Sequence, residues 1–108
     1  MAQQAQQIWV ETQDSGLVRA DVLIQLGVVD GAGSQVTRTG PSTAGTFDLE
    51  AGLSSGERVV LGSFGGPAVF DAMAEFVTLL SSLVGTDRSS IVSLQVDQKA
   101  NTWQWNIS

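Results

Sequence analysis

The chain is 108 residues long, 43% hydrophobic and 15% charged, with a formal net charge of −6 and neither cysteine nor histidine. That length holds one domain around one core. The composition excludes disulfides, thiolate nucleophiles, the usual zinc ligands and imidazole proton shuttles, and the scattered basic residues (Arg19, Arg38, Arg58, Arg88, Lys99) argue against nucleic acid or anionic membranes, which need clustered cations.

In chain order, Met1 to Gln7 ("MAQQAQQ") reads as a flexible tail ahead of a single domain over 8–108. The tail has neither the basic nor the apolar region of a secretory leader. "IWVETQ", Ile8 to Gln13, is a predicted strand ending at the turn "DSG". In "LVRADVLIQLGVV", Leu17 to Val29, the residues Val18, Ala20, Val22, Ile24, Leu26 and Val28 alternate with the rest, predicting one long strand hairpinned to the first. "DGAGS" is a turn, "QVTRTG" a short polar strand and "GPSTAGT" a loop. "FDLEA" and "ERVVLGSF" are further strands around the turn "GLSSG".

The period then changes. Val69, Phe70, Met73, Phe76, Val77, Leu80, Leu83 and Val84 recur at three- and four-residue steps, predicting an amphipathic helix over about 67–84. Pro67 suits its first position and Gly85 the residue after its end. Asp71 and Glu75 lie in the early turns, where the helix dipole favours them. Ala74, Thr78, Ser81 and Ser82 form an opposite face that is polar but nearly uncharged, so it is either plainly solvated or able to accept a second layer of protein. No apolar run reaches the roughly 18 residues of a membrane span, and a soluble, cytoplasmic chain is expected.

After the helix, Val92, Leu94 and Val96 alternate with Ile91, Ser93, Gln95 and Asp97. "KAN" turns, and "TWQWNIS" places Trp103, Trp105 and Ile107 on one face. The two runs predict a C-terminal hairpin whose apolar faces coincide, so both tryptophans are expected to cover the core. Their indole N–H groups still require acceptors.

Carboxylates are the main chemistry left. Asp48 and Glu50 share a strand face and could pair as acid and base or hold a hard cation, but two solvated charges on an outer face explain them as well. "DGAGS" lacks the further acidic ligands of a calcium loop. "GSFGGP", Gly62 to Pro67, has neither phosphate-loop spacing and reads as a tight corner beside Phe64. Lys99 falls in a turn, where little would lower its pKa. No catalytic, metal or cofactor site is expected.

The fold class expected is α+β: an antiparallel sheet or partly closed roll of about six strands, one helix packed on one face, and a C-terminal β-hairpin. The function expected is a non-catalytic protein-interaction module, of inhibitor, immunity or accessory type, whose partner is another protein or a further copy of itself in a homo-oligomer. The acidic balance and missing catalytic side chains motivate this reading. The alternatives are a self-assembling structural subunit, suggested by the low surface charge and open sheet edges, and a small-molecule binder or enzyme with a helix–sheet pocket lined by Phe64, Phe70, Met73, Phe76 and the tryptophans. Candidate interface residues are Trp9, Glu11, Trp103 and Trp105, with Ile8 to Gln13 and Trp103 to Ile107 as candidate edges.

Overall fold

The computed structural model describes residues 7–31, 33–36, 45–83, 89–100 and 102–108. Its elements are β1 (Ile8–Glu11), β2 (Leu17–Arg19), a 3-10 turn (Ala20–Val22), β3 (Leu23–Asp30), β4 (Gln35–Val36), β5 (Phe47–Leu53), β6 (Arg58–Phe64), α1 (Ala68–Leu83), β7 (Ser90–Asp97) and β8 (Thr102–Ile107). The class is α+β, as expected, but eight strands are split between two four-stranded sheets, in the orders β2-β1-β7-β8 and β4-β3-β5-β6. All pairings are antiparallel except β1 with β7. Parallel neighbours need a long crossover, and here the second sheet and α1 lie between them in the chain. Gln7 already belongs to this ladder, its carbonyl accepting the Ser90 N–H at 3.0 Å; the rest of the predicted tail lies outside the described residues.

The alternation from Leu17 to Val29 does not make one strand. The chain leaves the first sheet after Arg19, turns through Ala20–Val22 and enters the second sheet as β3. Opposite β5 the register then shifts between Leu23 and Gln25. Ile24, expected in the core, is 69% exposed at this irregularity. A bulge adds one residue to one strand and reverses the facing of the residues beyond it, so Leu23 packs on the core before the bulge, while Leu26 and Val28 do so after it. An uninterrupted period of two cannot show that the chain changes sheets midway.

In the turn between β1 and β2, the Thr12 N–H donates to the Gly16 carbonyl at 2.8 Å and the Ser15 N–H to the Thr12 carbonyl at 3.0 Å. The left-handed residue there is Ser15, at φ 70°. "DGAGS" is the expected tight turn: Ser34 N–H donates to Asp30 Oδ1 at 2.9 Å, and Gly33 takes φ 83°.

The core lies between the sheets and under the helix. Phe64, Phe76, Leu49, Val10, Val69 and Val92 are fully buried, each contributing about 1.5–3 kcal/mol by leaving water. The helix keeps the predicted stripe with three changes. Val77 is 50% exposed, while Ala72 is buried and Leu79 packs against the core. The helix starts at Ala68, one residue after Pro67, whose carbonyl accepts the Phe70 N–H at 3.1 Å. Val84, Gly85 and most of "GPSTAGT" fall outside the described residues, as does "QVTRTG" beyond Val36.

Gly62 does more than turn a corner. A Cβ built there would stand 2.5 Å from Leu94 Cδ2, so at this approach of β6 to β7 an added side chain would require Leu94 to move.

Candidate functional site

β8 closes the first sheet on one side and, among the described residues, has a strand neighbour only in β7. The Ile91 N–H donates to the Ser108 carbonyl at 3.0 Å and the Ser108 N–H to the Ile91 carbonyl at 2.9 Å, which makes 91 and 108 a hydrogen-bonded pair. In an antiparallel ladder such pairs alternate with non-bonded ones, so Asn106, Gln104 and Thr102 bond to Ser93, Gln95 and Asp97 in turn. Trp103, Trp105 and Ile107 therefore aim their backbone N–H and C=O groups away from β7, at the open edge.

The side chains of those same residues lie on the inner face, opposite Val96, Leu94 and Val92. The expectation for the tryptophans holds. Trp105 stacks on Phe76, with ring centroids 4.7 Å apart and planes 20° apart, and Trp103 meets Phe64 edge-on at 6.2 Å. Both indoles find acceptors on α1: Trp103 Nε1 donates to Glu75 Oε1 at 2.8 Å and Trp105 Nε1 to the Ala72 carbonyl at 3.3 Å. Because β8 is an edge, burial is incomplete; both tryptophans are half-buried and Ile107 is 48% exposed.

Beside this edge runs an open groove of about 470 Å³ between α1 and β8, lined by Ala74, Glu75, Thr78, Leu79, Ser82 and Trp105. The hydroxyls of this helix face are turned inward. Thr78 donates to the Ala74 carbonyl at 3.2 Å, Ser81 to Val77 at 2.9 Å and Ser82 to Leu79 at 2.7 Å. Back-bonding of this kind satisfies the oxygen on its own helix, leaving methyl and methylene groups toward the groove. Periodicity marked Ala74, Thr78 and Ser82 as a low-charge face. It did not find Leu79 or the adjoining edge, which depend on where β8 docks.

The other strand ends are shorter or covered among the described residues. β2 has three residues, including Arg19, and β4 has two. β6 is bridged by the β1–β2 turn, where the Gln13 N–H donates to the Val60 carbonyl at 2.8 Å, and it carries Arg58. Short length, charge and cover are the usual protections of an exposed edge. β8 runs six residues, "TWQWNI", without a charge, a proline or a register shift.

The remaining predicted residues lie elsewhere. β1 is an interior strand between β2 and β7, so Ile8 to Gln13 is not the edge expected; its parallel partner β7 was invisible in the local pattern. Trp9 faces away from the buried Ile8 and Val10, next to Arg19 on β2 and Ile91 on β7, and the exposed Glu11 lies opposite Leu17. These two therefore occupy the outer face of the sheet whose inner face holds Trp103 and Trp105, so the four candidates do not form one surface.

Asp48 and Glu50 share a face but engage separate partners. Ser63 Oγ donates to Asp48 Oδ1 at 2.6 Å, and Arg58 Nη1 lies 2.9 Å from Glu50 Oε1. Among the described residues no group of three or more acidic side chains is placed to hold a metal ion. Gln13 Nε2 donates to Ser63 Oγ at 2.8 Å, and Gln98 Nε2 to the Ser63 carbonyl at 3.2 Å. This chain of bonds crosses a cleft of about 260 Å³ and straps the β1–β2 turn and the β7 end to the second sheet. Lys99 sits in the turn before β8, its N–H donating to Asp97 Oδ1 at 3.1 Å. Asp14 has its carboxyl held below the usual carboxylate range, first by the Thr12 hydroxyl and then by the Gly16 backbone.

No helix among the described residues is long and apolar enough to cross a membrane. Comparison with protein-family models, with curated proteins and with solved structures finds no match for this chain.

Proposed function

We propose that the chain is a non-catalytic protein-interaction module that binds a partner strand along the open edge of β8. The observation that carries this reading is the direction of the Trp103, Trp105 and Ile107 backbone groups: three residues of an uncharged edge strand present their donors and acceptors outward beside an apolar groove. Strand addition takes its affinity from such main-chain bonds and its selectivity from pockets for alternate side chains. Trp105, flanked by Leu79 and Thr78, would shape the first of those pockets.

Ile107→Pro tests the reading with little damage to the fold. Proline lacks an N–H and is tolerated on edge strands where that N–H faces out, and the Ile107 N–H points away from β7. Panning a displayed library of ten-residue peptides should enrich sequences with alternating apolar residues on the natural chain and none on Ile107→Pro. Amide exchange at Trp103, Trp105 and Ile107 should slow at least tenfold in the presence of a captured peptide. Peptides that bind both forms equally, or leave those amides unprotected, would refute it.

A further inference from the structure

Resting on the strand-addition reading, we infer that the strand received at β8 is the β8 of a second copy, related by a two-fold axis through Trp105. The edge is self-complementary. Antiparallel pairing of Trp105 with the second copy's Trp105 sets Trp103 of each chain against Ile107 of the other. All three of these residues carry outward backbone groups, so all three become hydrogen-bonded pairs. A slip of two residues in either direction loses one of them. The first sheets of the two copies, four strands each, then continue as one, in the order β2-β1-β7-β8-β8-β7-β1-β2.

The side chains agree with this register. On the inner face the tryptophans at the axis lie opposite each other, and the half-exposed Ile107 gains the second copy's Trp103, the aromatic and aromatic–branched pairs that favour cross-strand contact. On the outer face Gln104 lies opposite Asn106 and Thr102 opposite Ser108, polar groups able to bond to each other. On α1, Ala74, Thr78 and Ser82 line the groove beside this edge, and Thr78 and Ser82 bond their hydroxyls to their own helix, so this face offers small side chains to whatever lies across the axis.

Charge selects the same occupant. The chain carries −6 overall, so two copies repel wherever acidic faces meet, and like charges set opposite each other in a sheet are unfavourable. Residues 102–108 contain no charged side chain; Glu75, which lines the adjoining groove, keeps its charge while accepting the Trp103 indole. Along the strand itself a basic partner has nothing to attract it, and a second copy meets no like charge.

The test measures solution mass by sedimentation equilibrium from micromolar to millimolar concentration, using the natural chain, Ile107→Pro, and Gln104→Lys with Asn106→Lys. The last variant changes only the outer face and places like charges opposite each other across the axis. The natural chain should approach twice 11.3 kDa and both variants should remain at 11.3 kDa. Because the chain has no cysteine, the register can be read directly. Non-bonded antiparallel pairs have Cα atoms about 4.5 Å apart, within disulfide reach, so a mixture of Gln104→Cys and Asn106→Cys should cross-link at least tenfold faster than either variant alone. A natural chain that stays monomeric to millimolar concentration yet captures peptides at β8 overturns the second copy and leaves the strand-addition reading standing. A dimer insensitive to all these substitutions, with no peptide captured, overturns both. A dimer sensitive to them but without the preferred mixed cross-link overturns the two-fold through Trp105.

Discussion

Adding one methyl group at Gly62 should cost this protein more than its size suggests, because the two sheets meet there. An alanine Cβ would lie 2.5 Å from Leu94 Cδ2 and 3.4 Å from both Leu94 Cγ and Val96 Cγ2. The last two are tight but absorbable; the first requires Leu94 to rotate. Forcing a methyl into a packed site costs about 1–3 kcal/mol, and replacing glycine returns about 0.4–1 kcal/mol through the unfolded chain, so Gly62→Ala should be destabilised by about 1–2 kcal/mol net. Leu94 also lines the cleft beneath the β1–β2 turn, which gives the displaced side chain somewhere to go and keeps the cost from rising further. Leu94→Ala alone should cost about 2 kcal/mol, the low end for leucine because the residue is half-buried. With Leu94 truncated the clash disappears and only the unfolded-chain gain remains, so Gly62→Ala should stabilise by about 0.4–1 kcal/mol in that background. The double variant should therefore be more stable than the sum of the singles by about 1–3 kcal/mol, the size of the removed clash. Urea denaturation of all four chains measures this coupling. Gly52→Ala, whose Cβ would meet Gln25 Cβ at 3.4 Å, serves as a control that should shift stability by less than about 1 kcal/mol. Additivity of Gly62→Ala and Leu94→Ala within about 0.5 kcal/mol would refute the proposed close approach of the sheets.

The tryptophans should separate by face. Trp105→Ala removes the stack on Phe76 and should cost about 3 kcal/mol in urea, whereas Trp9→Ala, on the outer face, should cost less than about 1 kcal/mol; equal losses would place both on the same side. At the bulge, Ile24→Lys should leave stability within about 0.5 kcal/mol, and a large loss by the same assay would show that Ile24 is packed. Asp14 has a lowered pKa in the folded chain, so its contribution is present above the unfolded value near 3.9 and is lost as pH falls through the lower folded value. Asp14→Asn should therefore lose less stability than the natural chain between pH 5 and pH 2, and parallel acid profiles would contradict the depressed pKa.

The alternation of Val92, Leu94 and Val96, and of Trp103, Trp105 and Ile107, announces a hairpin, and the three- and four-residue steps from Val69 to Leu83 announce a helix. Both are legible because side-chain direction follows local backbone geometry. The inward facing of the tryptophans follows from the same rule once the two strands pair. The missing histidine and cysteine, likewise, are properties of the chain before it folds. Other features depended on contacts between distant segments. The run from Leu17 to Val29 alternates without interruption, yet its first part pairs with β1 and its last with β5, and the break at Ala20–Val22 and the bulge at Ile24 arise from serving two sheets. β1 resembled an edge until β7, some eighty residues later, paired with its free side. Which way the Trp103, Trp105 and Ile107 amides point was settled only by the register of β8 on β7, because a strand's two hydrogen-bonding sides are equivalent until one of them is taken.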